Sequence, residues 1–412
     1  MDLFSYERKQ LPWYRSMRAT QPVHYREKEQ CWEIFRYDDV LQVLSDHQTF
    51  SSNFRGAAPV RPGSEEEIPN PPIASTIIAL DPPRHDQLRG LVAHDFTPRT
   101  LALLTPRITQ IANDLLDQVT PTGTMDVVAD FSYPLPVIVI AELLGLPPEE
   151  RPRFKAWSDA VLTGSFEERV EARRKGKGVH GVIAQTQKEM KAYFEEILET
   201  RRRQPREDLI SKLIVARVDG QPLSQEELLG FCQLLLIAGN ITTTNLIANA
   251  IISFDEHPEV IDRLRAATPL LPKAIEEVLR YRSPVHFLGR QTTTTVHLGG
   301  QEIPPRQTIL AWVASANRDE AQFPEPDRFD IERAPNRHLS FGYDIHFCLG
   351  AHLARLEARI GLAAMLERLP NMRRVPEVPL EMVNSDLIYG VRHLPLTFTP
   401  STALAREPVM PG

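Results

Sequence analysis

Cysteine is scarce. Cys31, Cys232 and Cys348 are the only three in 412 residues. Their separations suit neither a disulfide framework nor a zinc site, so a reducing compartment is expected. Positive charge is in deficit too. Lys and Arg number 47 against 54 Asp and Glu, a net charge of −7, which argues against wholesale nucleic-acid binding. No apolar run approaches the roughly 20 residues of a membrane span. The opening Met1-Asp2-Leu3-Phe4-Ser5-Tyr6 carries no signal-peptide core, and a cytoplasmic location is expected. There is no internal repeat, no P-loop, and no sequence for a flavin or an iron–sulfur cluster. What remains is ordinary for a globular chain. Hydrophobic residues make up 42% and charged residues 25%, enough for a sizeable core.

Periodicity divides the chain into a helix-rich part and a smaller β portion. Pro12-Trp13-Tyr14 begins a short helix. Val23–Tyr25 and Cys31–Phe35 alternate as two strands about a polar turn, and residues 38–46 read as helix. Phe54 to Pro72 is rich in Pro, Gly and Glu without a period. Long loops of that kind often cover or bind a ligand. Asp81-Pro82-Pro83 starts a run of helices at 84–96, 98–119, 132–144 and 148–163. Residues 166–203 are helical and charged, and the basic cluster Arg173-Arg174-Lys175-Gly176-Lys177 reads as solvated surface. Ser224 and Glu227 form a capping box ahead of a long helix, 225–256, whose middle is apolar all round and therefore buried. A helix at 271–282 follows. Strand-like runs occupy 289–298 and 308–313, and 387–398 reads as a hairpin. Strands from both ends of the chain argue for one mainly α domain spanning 1–412.

One stretch organises the rest: Phe341-Gly342-Tyr343-Asp344-Ile345-His346-Phe347-Cys348-Leu349-Gly350. After it Leu349, Leu353, Leu356, Ile360 and Ala364 recur at helical spacing, with charges between them. Cys348 thus sits where a glycine-punctuated loop enters a helix. Free N–H groups and the helix dipole favour a thiolate there, ready as metal ligand or nucleophile. A single cysteine is more often a small buried hydrophobe; its surroundings set this one apart.

The stretch resembles the heme-binding signature of the cytochrome P450 family, F-G-x-G-x-H-x-C-x-G. Phe341, Gly342, His346, Cys348 and Gly350 match, and Asp344 stands for the second glycine. Asp is among the few residues that visit the left-handed region, so the glycine-like turn should persist. The resemblance runs from about Trp13 to Phe398. Phe131–Ile140 and Ala314–Asp319 look like segments of soluble bacterial members. It implies a cytochrome P450-type fold, with heme b (iron protoporphyrin IX) between the central helix and the Cys-loop helix. Cys348 would be the axial thiolate. His85, Arg89, Arg290 and His346 would hold the propionates, with Ala238, Gly239, Phe341 and Gly350 completing the cofactor site. His85 and Arg89 share one helix face at i and i+4, and Arg makes the strongest charge-assisted bonds to carboxylates.

Ala238-Gly239-Asn240-Ile241-Thr242-Thr243 resembles the family's oxygen-activation segment, A-G-x-[DE]-T-T. Read by itself, Gly in a buried helix costs roughly 1 kcal/mol against Ala and permits close approach of something bulky. The Thr hydroxyl can bond back to the i−4 carbonyl and bend the helix. A tight helix crossing would look the same. The resemblance makes Thr242 the catalytic hydroxyl, with Asn240 as a second polar group. Ile241 stands where the family carries a carboxylate. Protons then arrive through Thr242, Asn240 and water, or through a polar group of the substrate, or turnover is poorly coupled. Glu277 and Arg280 resemble the family's E-x-x-R element, and Arg328 is expected to complete that structural network.

The implied activity is a heme-thiolate monooxygenase. It would insert one oxygen atom of O2 into a C–H bond of a lipophilic fatty acid, terpenoid or steroid. Electrons would come from a separate ferredoxin- or flavodoxin-type donor with its reductase. The implied pocket is lined by Ile73, Ile78, Ile237, Ala238, Thr242, Val285, His286, Leu288, Ile388 and Tyr389. His286 and Tyr389 can orient a polar group there, or simply bond to backbone. A peroxygenase on the same scaffold and a non-catalytic heme protein are the competing readings.

Overall fold

Ser224 and Glu227 cap one another: Glu227 N donates to Ser224 Oγ at 3.2 Å, and Ser224 N donates to Glu227 Oε2 at 2.9 Å. From this box runs the 32-residue central helix, Gln225–Glu256. The structure is a computed structural model that describes residues 1–53, 76–162, 168 and 181–401. Being apolar all round, the central helix is enclosed by others. Pro134–Leu144, Leu271–Tyr281 and the Cys-loop helix Ala351–Arg368 pack on it. Val127–Leu144 and Gln225–Glu256 are each long and apolar enough to cross a membrane, contrary to the expectation of no such run. In each, 72% of the apolar window is buried inside the protein, which marks them as core.

The β portion joins distant parts of the chain. Its five-stranded sheet has the order Val23–Arg26, Cys31–Ile34, Thr308–Ala311, Leu288–Thr292, Phe50–Ser51. All pairings are antiparallel except one. Cys31–Ile34 runs parallel to Thr308–Ala311, with Cys31 opposite Thr308 and Ile34 opposite Ala311.

Several expected elements differ. The first helix is Leu3–Thr20, with Pro12 in its interior; Asp2 caps it by accepting from Ser5 N at 3.0 Å. Leu3, Tyr14 and Met17 are buried, and this tertiary packing outweighs the proline's missing hydrogen bond. The expected helix 98–119 is two helices, Pro98–Ala102 and Thr105–Val119. Pro106 has no N–H to donate and so begins a helix there. Residues 387–398 form no hairpin. Pro395–Thr397 pairs instead with Thr124–Asp126 and Arg373–Arg374, and Ile388 bridges Val285. Alternation marks a strand but does not name its partner. The Pro-rich loop, the basic cluster at 173–177 and Ile73 lie outside the described residues.

Candidate active site

The Cys348 loop is a set of tight turns. Gly342 and Asp344 have φ of +70° and +54°, so Asp344 keeps the left-handed conformation usual for glycine. Phe347 N donates to Asp344 O at 2.9 Å, and Cys348 N to Phe341 O at 2.7 Å. The helix begins at Ala351, with Gly350 as its cap, so Cys348 lies just outside it. Cys31 and Cys232 are packed away, and burial pushes both thiols up to about 12. Cys348 differs. It is the exposed one of the three. Burial pushes its thiol up, while the Gly350 N–H and the charges of Arg89 and Arg355 pull it down.

The central helix is accessible along one short stretch. Ala238 is exposed and Ile237, Gly239, Ile241 and Thr242 are half-buried, whereas Leu234–Leu236 and Thr243–Phe254 are buried. Thr242 Oγ1 donates back to Ala238 O at 2.9 Å. A Cβ at Gly239 would meet Ile140 at an ordinary 3.5 Å, so protein packing alone does not demand glycine there. Asn240 departs from expectation. It lies about 200° around the helix from Thr242 and is 0% exposed. Its side chain accepts from Thr244 Oγ1 at 3.3 Å. It does not share the Thr242 face.

Four cationic or polar groups expected from separate stretches do converge. The rings of His85 and His346 are 4.5 Å apart. His85 Nδ1 meets Asp86 Oδ1 at 2.7 Å. The Nε2 atoms of both histidines are buried without a partner among the described residues. Arg89 Nη2 donates to Phe347 O at 2.6 Å. Arg290 is 6% exposed and donates to its neighbour's carbonyl, Gly289 O, at 2.8 Å. Burial depresses Arg290 to about 10, partly offset by Asp81. Burial, and then the charges of Arg290, His85, Arg89 and His47, hold His346 down at about 3. His47 was not foreseen; nothing in its local sequence marks it. It lies 3.6 Å from Asp344 Oδ2. Two buried ring nitrogens without partners among the described residues, beside two guanidinium groups, fit a polar anionic group. With the open thiol of Cys348, this donor set suits a heme and its two propionates. Among the described residues, no three His, Cys, Asp or Glu side chains group as a metal cage.

The apolar lining is partly assembled. Val285 and Leu288 are half-buried, Ile388 is bridged to Val285, and Ile78 is exposed. His286 and Tyr389 do not join it. Successive strand residues face opposite ways, and these two point into a buried polar cluster. His286 Nδ1 meets Tyr14 OH at 3.0 Å, and burial holds the imidazole at about 3 and so neutral. Tyr389 OH donates to Glu7, which accepts from Arg282 Nε at 2.9 Å. The Tyr389 hydroxyl and His286 Nδ1 are thereby turned toward this cluster and away from the apolar lining.

The structural network also has a different third member. Arg280 and Glu277 are fully buried and paired through two bonds of 2.8 Å. The second cation on Glu277 is Arg333, with Nε 3.2 Å from Oε1. The Arg328 side chain is 63% exposed and reaches Glu325; only its carbonyl enters the network, accepting from Arg280 at 3.1 Å. Arg328 and Arg333 are both near in sequence, and only the fold distinguishes them.

These features have counterparts in known proteins. The family model described as Cytochrome P450 matches residues 169–372. Cytochrome P450 109 of Bacillus spizizenii is 41% identical over 94% of this chain and 91% of its own length. Cyclomarin C epoxidase CymV of Salinispora arenicola is 41% identical, covering 94% and 95%. The crystal structure of CYP109E1 from Bacillus megaterium in complex with testosterone superposes with a TM-score of 0.86. It is 39% identical and covers 95% of this chain and 98% of that one.

Proposed function

The chain belongs to the cytochrome P450 family and is a heme-thiolate monooxygenase, and we propose that it oxidises a C–H bond of a lipophilic, steroid-like molecule with Cys348 as the axial ligand of heme b. The observation that carries the cofactor assignment is the pair of partnerless, buried Nε2 atoms on His85 and His346. With Arg89 and Arg290 they would hold the two propionates, and Cys348 the iron. When bound, the heme supplies O2 activation and oxygen transfer.

The chain's own residues supply the rest. Arg89, through Phe347 O, fixes the backbone beside Cys348. Ile237, Ala238, Ile241, Val285, Leu288 and Ile388 offer an apolar wall that excludes water and accepts a lipophilic substrate. Steroid-like chemistry is supported by that wall and by the testosterone complex of a 39% identical protein. Thr242 carries the one hydroxyl on the exposed stretch of the central helix, and it holds and passes the proton at Oγ1. Electrons come from a ferredoxin- or flavodoxin-type donor with its reductase, in the cytoplasm, and the chain acts as one domain. Ile241, in place of an acid, favours one second reading, turnover driven by hydrogen peroxide. Product formed with peroxide alone at the donor-driven rate would establish it.

The test pairs spectra with products. The ferrous carbon monoxide complex should show the red-shifted band of a thiolate heme. Cys348→Ala should lose it, and Cys31→Ala and Cys232→Ala should keep it. Steroids should shift the ferric spectrum and yield hydroxylated products with a surrogate donor. A band that survives Cys348→Ala would sink the ligand assignment. Intact ligation without product from any donor would sink the activity.

A further inference from the structure

A charged cluster that the reaction does not use backs the Cys348 loop. Arg355, in the first turns of the Cys-loop helix, lies with Cζ 4.4 Å from the centroid of the Phe341 ring. Glu276, on helix Leu271–Tyr281, grips this guanidinium through both oxygens. Arg355 Nε donates to Oε1 at 2.7 Å and Nη2 to Oε2 at 2.8 Å. His338 Nε2 meets Oε2 at 3.0 Å, and its ring is 6.0 Å from that of Phe341. Phe341 in turn accepts from Cys348 N at 2.7 Å. One chain of contacts therefore runs from Glu276 through Arg355 and Phe341 to the backbone of the ligand cysteine.

Charge follows the same path. The Arg355 guanidinium lies over the ring of the residue whose carbonyl holds Cys348 N, so its charge is fixed behind the ligand cysteine. A cation near a ligating sulfur draws electron density from it and makes the metal easier to reduce; charge and hydrogen bonding around the sulfur are known levers on potential. A carboxylate held bidentate on that cation cancels part of its field.

We propose that Glu276 and Arg355 are positioning residues that set the reduction potential of the bound heme, Arg355 by its charge behind the thiolate and Glu276 by fixing and partly cancelling that charge. The inference rests on Cys348 being the axial ligand. A merely structural pair would respond to loss of either partner in the same way. A charge device responds with opposite signs.

The test is a potentiometric titration of the holoenzyme, followed by its absorption spectrum. Glu276→Gln should move the ferric–ferrous equilibrium toward ferrous, and Arg355→Gln toward ferric, each by up to about tenfold, or about 59 mV for one electron. The double variant should return near the parent, since each change removes the reason for the other. Arg355→Lys keeps the charge and should keep the potential, which decides the matter where Arg355→Gln does not retain heme. Shifts of one sign, no shift, or a Lys variant that falls as far as the Gln variant would overturn the proposal. Absence of the thiolate band in the parent protein would instead overturn the Cys348 assignment.

Discussion

Arg89 and Phe347 are joined across the molecule: a guanidinium Nη2 donates to the carbonyl at 2.6 Å. The bond ties helix Arg84–Ala93 to the residue before Cys348, so one side chain can serve both the loop and an anion beside it. His85, one turn earlier, and Arg290, on the sheet, complete the arrangement.

Arg290→Ala should accelerate heme loss to an acceptor protein more than Arg89→Ala. Arg290 is buried and, among the described residues, its side chain makes one hydrogen bond, to a neighbouring carbonyl, so its charge is available to a carboxylate. Removing a buried partner typically costs about 3–5 kcal/mol; the half-buried Arg89 should cost less. Equal, unchanged loss rates in both variants would exclude these residues from the cofactor site.

Arg333→Ala should destabilise the fold while Arg328→Ala should not. Arg333 donates to the fully buried Glu277, and a hydrogen bond to a charged group contributes about 1.5–3 kcal/mol. The exposed Arg328 side chain should fall within about 0.5 kcal/mol of the parent. Denaturant unfolding of the two variants checks both, and an inverted order would reinstate Arg328.

Acid should weaken the contact behind the Cys348 loop. Burial pushes the Glu276 carboxyl up, but hydrogen bonds from Arg355 and His338, with their charges, outweigh it and hold the group at about 2 against an ordinary 4.5. A depressed carboxyl stabilises the fold above its unfolded value. That contribution is therefore complete above pH 4.5 and disappears as pH falls toward 2. Glu276→Gln should flatten the pH dependence of stability in this window only. A parallel curve, merely displaced, would show that the carboxylate is not linked to folding.

Ile241→Glu should raise product formed per reduced cofactor consumed and lower peroxide release. With Asn240 on the far side of the helix, Thr242 is the remaining polar side chain on that stretch. General acid–base groups contribute about 10²–10⁴-fold to rate. The measurement is coupling with a surrogate donor and a confirmed substrate, in a variant that retains heme and substrate affinity. An unchanged ratio would show that the missing carboxylate does not limit turnover.

The residues by themselves determined whatever depends on neighbours a few positions away. The Ser224–Glu227 box, the start of the Cys-loop helix and the left-handed turn at Asp344 follow from spacing and local sterics, and each appears in the structure. Helix ends were less clear where a proline had two readings, as Pro12 and Pro106 did. Tertiary structure decided which of several similar residues meets a given partner. It selected Arg333 over Arg328, turned Asn240 away from Thr242, and drew His286 and Tyr389 to Tyr14 and Glu7. It also brought His47 and Glu276 behind a loop hundreds of residues from one and scores from the other. Periodicity sets the angles between side chains on one helix or strand. Which of those angles faces the site depends on how that element packs against distant ones, and no local pattern carries that information.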